Sequence, residues 1–61
     1  MEVTVTIDTV CREAIIEGPK GLKLIQSLKS ELLTLEETID VLLATIKEDP
    51  EIKITELIYW N

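Results

Sequence analysis

The chain has 61 residues, 46% of them hydrophobic, and a formal net charge of -6. That length bounds it to one small domain near the lower limit for independent folding. The acidity works against binding a nucleic-acid backbone, where Lys and Arg supply most of the affinity. Without a histidine the usual general base at neutral pH is missing, and so are most transition-metal sites.

Residues 2–8 alternate cleanly, with Val3, Val5 and Ile7 on one side and Glu2, Thr4, Thr6 and Asp8 on the other. This predicts a strand with one buried face. A second strand is expected over about 10–17, which is rich in β-formers but less regular. A two-residue turn at Asp8-Thr9 would set Ile7 opposite Val10, Val5 opposite Arg12 and Val3 opposite Ala14. A loop one residue longer would instead bury Cys11, Glu13 and Ile15. With no Gly or Asn in the turn the register stays open, as does a single long, bent strand.

Gly18-Pro19 closes this region, and Pro suits the first turn of a helix. A helical region is expected over about 20–49, ended by Asp49-Pro50. Within it Ile25, Leu28, Leu32, Leu35, Ile39, Leu42 and Ile46 recur at alternating spacings of three and four. That heptad places one aliphatic side chain at each turn of a single seam, the expected oligomer interface. Read as one rod, the region is ~45 Å long at 1.5 Å per residue. Thr34-Leu-Glu-Glu37 is a capping-box signature that would instead start a new helix, and Leu33 and Leu43 lie off the seam. A hairpin of helices 20–33 and 35–48, or a sharp bend, accounts for both features better. A last strand is expected over about 52–60, with Ile52, Ile54, Ile58 and Trp60 on one face and Glu56 as its mismatch.

The expected fold is therefore a small single α+β domain. It has an N-terminal β-hairpin (or long bent strand), an amphipathic helical hairpin or one long helix, and a C-terminal strand. The strands would form an antiparallel sheet packed on the helices.

Chemistry-bearing residues are sparse. Cys11 is the single cysteine, so no disulfide can form within the chain, and it has no CxxC partner. Glu36, Glu37 and Asp40 fall within about one helical turn and could present oxygens to Mg²⁺ or Ca²⁺. Nothing else nearby resembles a metal loop, and a helix cap with a solvated acidic face is the better account of them. Gly18-Pro19-Lys20-Gly21 lacks the length and the Lys-Ser/Thr ending of a phosphate loop. No catalytic, metal or cofactor site is expected. Arg12, the sole arginine, and the aromatic pair Tyr59 and Trp60 are residue types enriched in binding hot spots. They are the candidate partner-binding residues.

The order strand, Pro, helix, Thr-x-x-Glu, helix resembles the ribbon-helix-helix repressors. Glu13–Glu17 would be the ribbon, Pro19–Leu32 the first helix and Thr34–Ile46 the second. The resemblance covers about half the chain and implies a dimeric, DNA-binding regulator or antitoxin. Here the outward ribbon positions would carry Glu13, Ile15 and Glu17, and Leu33 stands where the family has Gly between its helices.

The leading expectation is a non-enzymatic acidic protein-interaction module: a regulatory, inhibitory or assembly subunit that forms a homodimer or higher oligomer and meets another protein. A nucleic-acid mimic belongs to the same class. A soluble, cytoplasmic setting fits the lone cysteine, the absence of an apolar run of ~20 residues, and a start, Met-Glu-Val-Thr, without the pattern of a secretory signal.

Overall fold

A computed structural model describes residues 1–60. The chain is α+β, as expected: a four-stranded mixed sheet with one helix packed on one face. Strand β1 (Glu2–Asp8) is followed by β2 (Glu13–Glu17), β3 (Lys23–Ser27), helix α1 (Leu35–Glu48) and β4 (Lys53–Trp60). The sheet order is β3-β2-β1-β4. β2 runs antiparallel to both β1 and β3.

β4 is parallel to β1, which corrects the all-antiparallel expectation. The cause is the crossover. α1 lies between β3 and β4 in the chain, and a helical connection over one face returns the chain in the original direction.

The N-terminal hairpin forms, but its register is four residues from the two-residue-turn expectation. Ile7 faces Ala14 and Val5 faces Ile16. A four-residue loop, Thr9–Arg12, replaces the tight turn. Asp8 drives this by accepting hydrogen bonds at Oδ1 from the Val10 and Cys11 amides, both at 3.0 Å. Such an Asx turn competes with the strand ladder for the chain. Arg12 then reverses direction with φ of +56°.

The helical expectation for residues 20–33 is wrong, and with it both the rod and the helical hairpin. Residues 19–32, which would be the first helix of a ribbon-helix-helix protein, form a turn, a strand and a loop. Lys20 and Gly21 have φ of +60° and +77°, and the Leu22 amide donates to the Pro19 carbonyl at 3.2 Å. This φ pair belongs to the type I′ turn, whose twist suits a β-hairpin. β3 therefore folds back on β2, with Ile15 opposite Ile25 and Ile16 opposite Leu24.

The helix begins where the capping box placed it. Thr34 Oγ1 accepts from the Glu37 amide at 3.1 Å, and Glu37 Oε1 accepts from the Thr34 amide at 3.0 Å. Two orphan donors of the first turn are thus satisfied.

From there the heptad holds. Leu35, Ile39, Leu42 and Ile46 face the sheet, and off-seam Leu43 joins them. The core consists of Val3, Val5, Ile7, Ala14, Leu28, Ile39 and Ile46. Leu28 enters it from the segment after β3, held by its amide donating to the Arg12 carbonyl at 2.8 Å. Leu28, Ile39 and Ile46 are therefore spent inside the chain's own core rather than on a seam between chains. Ile25 lies in β3, and Leu32 is 94% exposed in the loop before α1.

A β-bulge decides the faces of β4. The register to β1 shifts between Val3-Ile54 and Thr4-Glu56, leaving Thr55 as the extra residue. Thr55 Oγ1 donates to the Val3 carbonyl at 3.1 Å. The bulge inverts the alternation. Ile52 and Ile54 pack on the core, but Ile58 and Trp60 share the opposite face with Thr6 and Asp8. Glu56 ceases to be a mismatch, because it lies on the solvent side with Thr4.

Candidate functional site: the uncovered face of the sheet

α1 covers one face of the sheet; no element among the described residues covers the other. The registers assign its occupants directly, since paired residues on neighbouring strands share a face. Ile25, Ile15, Thr6 and Ile58 stand side by side across all four strands. With strands ~4.8 Å apart, this row is about 14 Å long. Trp60, 64% exposed, lies two residues along from Ile58 on the same face.

The rim is charged. Glu17 faces Lys23 and Glu2 faces Lys53, so each lysine has a carboxylate directly across the ladder. Glu13 and Glu56 face Ser27 and Thr4. Asp8 is opposite Glu13, a like-charge pair that would destabilise the hairpin. Its carboxylate turns to the loop amides instead, and the Cys11 amide hydrogen bond is the main cause holding it below the usual carboxylate range. Five carboxylates (Glu2, Asp8, Glu13, Glu17, Glu56) and two lysines (Lys23, Lys53) leave this face with a formal charge of -3.

The three candidate partner-binding residues gather at one end of the sheet. Asp8 pairs with Trp60, and the Thr9 amide donates to the Trp60 carbonyl at 3.1 Å. The loop carrying Arg12 therefore lies at the same end as Tyr59 and Trp60. The aromatics point to opposite faces. Tyr59, 56% exposed, shares the helix side with Ile7, whereas Trp60 lies on the open side.

The helix side is incompletely covered at β3. There an apolar cavity of about 300 Å³ opens between Met1, Ile16, Leu22, Leu24, Ile46 and Ile52. Gly18 borders it, because a Cβ there would approach Leu22 Cδ2 at 3.2 Å.

No protein-family model, curated protein or solved structure matches this chain.

Of the remaining chemical candidates, Cys11 and Glu37 are engaged locally. Cys11 is exposed in the loop, where the Asp8 charge and then its hydrogen bond push the thiol up from its ordinary value. A raised value leaves less thiolate, the nucleophilic form. Glu37 is held below the usual range by its hydrogen bonds with Thr34. Glu36 and Asp40 are exposed on α1, and among the described residues no three Cys, Asp or Glu side chains are grouped to hold a metal ion. No helix of the described residues is long and apolar enough to cross a membrane.

The sequence reading missed Thr6, Ile15, Ile25 and Ile58 as one surface. A signal was present in Glu13-Ile15-Glu17, an isoleucine on the acidic side of a strand. Ile25 also fits the heptad, and regular alternation over 52–60 sets Ile58 on the face of Ile54, because a bulge leaves no mark in the alternation except Glu56.

Proposed function

We propose that this chain is a non-enzymatic acidic protein-interaction module. It acts as a homo-oligomer and receives a second protein on the uncovered face of its sheet. One observation carries the reading: an apolar row, Ile25-Ile15-Thr6-Ile58, crosses the whole sheet inside a rim of net negative charge. Apolar surface that one chain leaves open in this way marks association sites. The matching partner has an apolar centre with Lys or Arg around it, because complementary rims steer encounter and fix orientation. A binding role also fits the engaged state of the reactive groups. Asp8 and Glu37 serve turns and caps, and Cys11 is held in its less nucleophilic form.

The test compares proteins captured from the native cells by the wild type, by Ile25→Lys and by Leu32→Lys. Both substituted positions are exposed, so neither change removes core packing, and circular dichroism of each variant checks that it is folded. A partner retained by Leu32→Lys and lost by Ile25→Lys supports the reading. Identical capture by all three counts against the sheet face.

A further inference from the structure

We propose that two copies of this chain join edge to edge through β4, forming a continuous eight-stranded sheet around a two-fold axis at Ile58. The inference rests on the homo-oligomer reading above and supplies its interface.

β4 is an edge strand. Along it, residues facing β1 alternate with residues whose backbone groups face away. The Trp60 carbonyl accepts from Thr9, so Trp60, Ile58 and Glu56 turn their backbone groups inward. Leu57 and Tyr59 therefore direct their N–H and C=O outward, with no strand of the described residues beside them. Natural edges are usually blunted by charge, Pro or short length. β4 has eight residues, and its last four, Leu57-Ile-Tyr-Trp60, carry no charge. The opposite edge differs: β3 has five residues, with Lys23 at its start and Lys29 just beyond its end.

Self-pairing fixes a register. In an antiparallel pair, outward-facing residues must meet outward-facing residues, which puts the axis on a residue rather than between two. Within the uncharged end of β4 the choices that pair more than one residue are Leu57, Ile58 and Tyr59. An axis at Leu57 sets the bulged Thr55 against Tyr59 and breaks the ladder. An axis at Tyr59 pairs only residues 58–60. At Ile58 the pairing runs over 56–60, with Leu57 opposite Tyr59 of the partner subunit in two hydrogen-bonded pairs. Ile58 meets Ile58 of the partner subunit at the close, non-hydrogen-bonded position. Glu56 meets Trp60 of the partner subunit, so no like charges oppose one another.

In this register the axis is perpendicular to the sheet, and both helices lie on one side. The apolar rows of the two open faces then join end to end at Ile58. Buried aromatics remove about 150–250 Å² each from water. Tyr59 and Trp60 are already partly covered, at 56% and 64% exposed, so with Leu57 and Ile58 the two copies bury less than the roughly 1,000 Å² lower bound of specific interfaces. The dimer is accordingly weak and concentration-dependent.

Sedimentation equilibrium over a hundredfold concentration range, with Trp60 emission recorded in parallel, tests this on the full chain. The wild type should dimerise and its emission should shift to the blue. Ile58→Lys and Ile58→Glu should each be monomeric, with dissociation constants raised at least tenfold, and an equimolar mixture of the two should recover the dimer. In a Cys11→Ser background, Ile58→Cys should oxidise to a covalent dimer. That readout is independent of whether the charged variants fold.

A wild type that dimerises but is broken by Ile15→Lys and not by Ile58→Lys overturns edge pairing while leaving the homo-oligomer reading intact. A mixture that stays monomeric, together with an Ile58→Cys chain that does not cross-link, also overturns it. A wild type monomeric at every concentration removes both.

Discussion

Leu28 and Leu32 are four residues apart and occupy equivalent seam positions in a heptad, yet the structure gives them opposite environments. Leu28 is 1% exposed in the core and Leu32 is 94% exposed. Truncating a buried Leu to Ala costs about 2–5 kcal/mol through lost transfer energy and the cavity left behind. Leu28 is fully enclosed, which favours the upper half of that range, or about 3–4 kcal/mol. A chain of this length is stable by only about 3–9 kcal/mol, so Leu28→Ala removes a large share of the total. At about 4–8 °C per kcal/mol the melting temperature should fall by at least ~12 °C. Leu32→Ala should lie within about 0.5 kcal/mol of wild type. Urea titration followed by far-ultraviolet circular dichroism measures both, and low protein concentration keeps association out of the comparison. If Leu32→Ala costs as much as Leu28→Ala, the helix-free description of residues 20–33 is refuted, because only a shared seam would make the two alike.

Other consequences test the local devices. Thr34→Ala should cost about 1 kcal/mol by removing the cap of α1, and Thr34→Ser should recover most of it; equal stability of all three in urea would refute the capping role. Asp8 and Glu37 are depressed in the folded state. Their contribution is therefore fully present above their unfolded values, about 3.9 and 4.3, and is lost as pH falls through the folded values. Asp8→Asn and Glu37→Gln should each flatten the acid limb of a stability profile relative to wild type, and parallel profiles would contradict the assignment. Asp8 also sets the Cys11 thiol high, so Asp8→Asn should speed alkylation near pH 8. The two rates should converge once pH exceeds both thiol values; no acceleration near pH 8 would mean that Asp8 does not hold the thiol.

The α+β class, the first strand, the capping box and the apolar face of α1 were all legible, because each is written in residues that are near neighbours in the chain. Val3, Val5 and Ile7 alternate, Thr34 and Glu37 sit three apart, and Leu35, Ile39, Leu42 and Ile46 keep helical spacing. The failures share one cause: a pattern of aliphatic spacing is blind to backbone conformation. Ile25, Leu28 and Leu32 continue the heptad upstream of Thr34, but Lys20-Gly21 takes the left-handed conformations of a hairpin turn. That turn sets residues 23–27 alongside β2, where their backbone groups pair in the ladder instead of in a helix. Gly21 was the available sign, read as part of a helix start because Pro19 precedes it.

The same blindness explains the site. One inserted residue, Thr55, moves Ile58 and Trp60 from the expected core face to the open face. Without the bulge they would follow Ile54 onto the helix side, Leu57 would stand beside Thr6 in the open row, and Glu56 would face α1. The bulge therefore decides which residues of β4 meet the open face, and it keeps Glu56 in solvent. Deleting Thr55 should close the ladder without moving any side chain to the other face, because Ile54 opposite Val3 and Glu56 opposite Thr4 are already successive rungs. Glu56 then stays on the solvent side, and the deletion should change stability by the same amount at pH 7 and at pH 4. Thr55→Ala keeps the extra residue and should lose only the hydrogen bond to Val3, about 1 kcal/mol. If Thr55 were instead an ordinary rung, Glu56 would face α1 in the wild type, where a carboxylate among apolar groups is costly. The deletion would then release it and stabilise the chain more at pH 7 than at pH 4, and that result would refute the bulge as the element that sets the faces of β4.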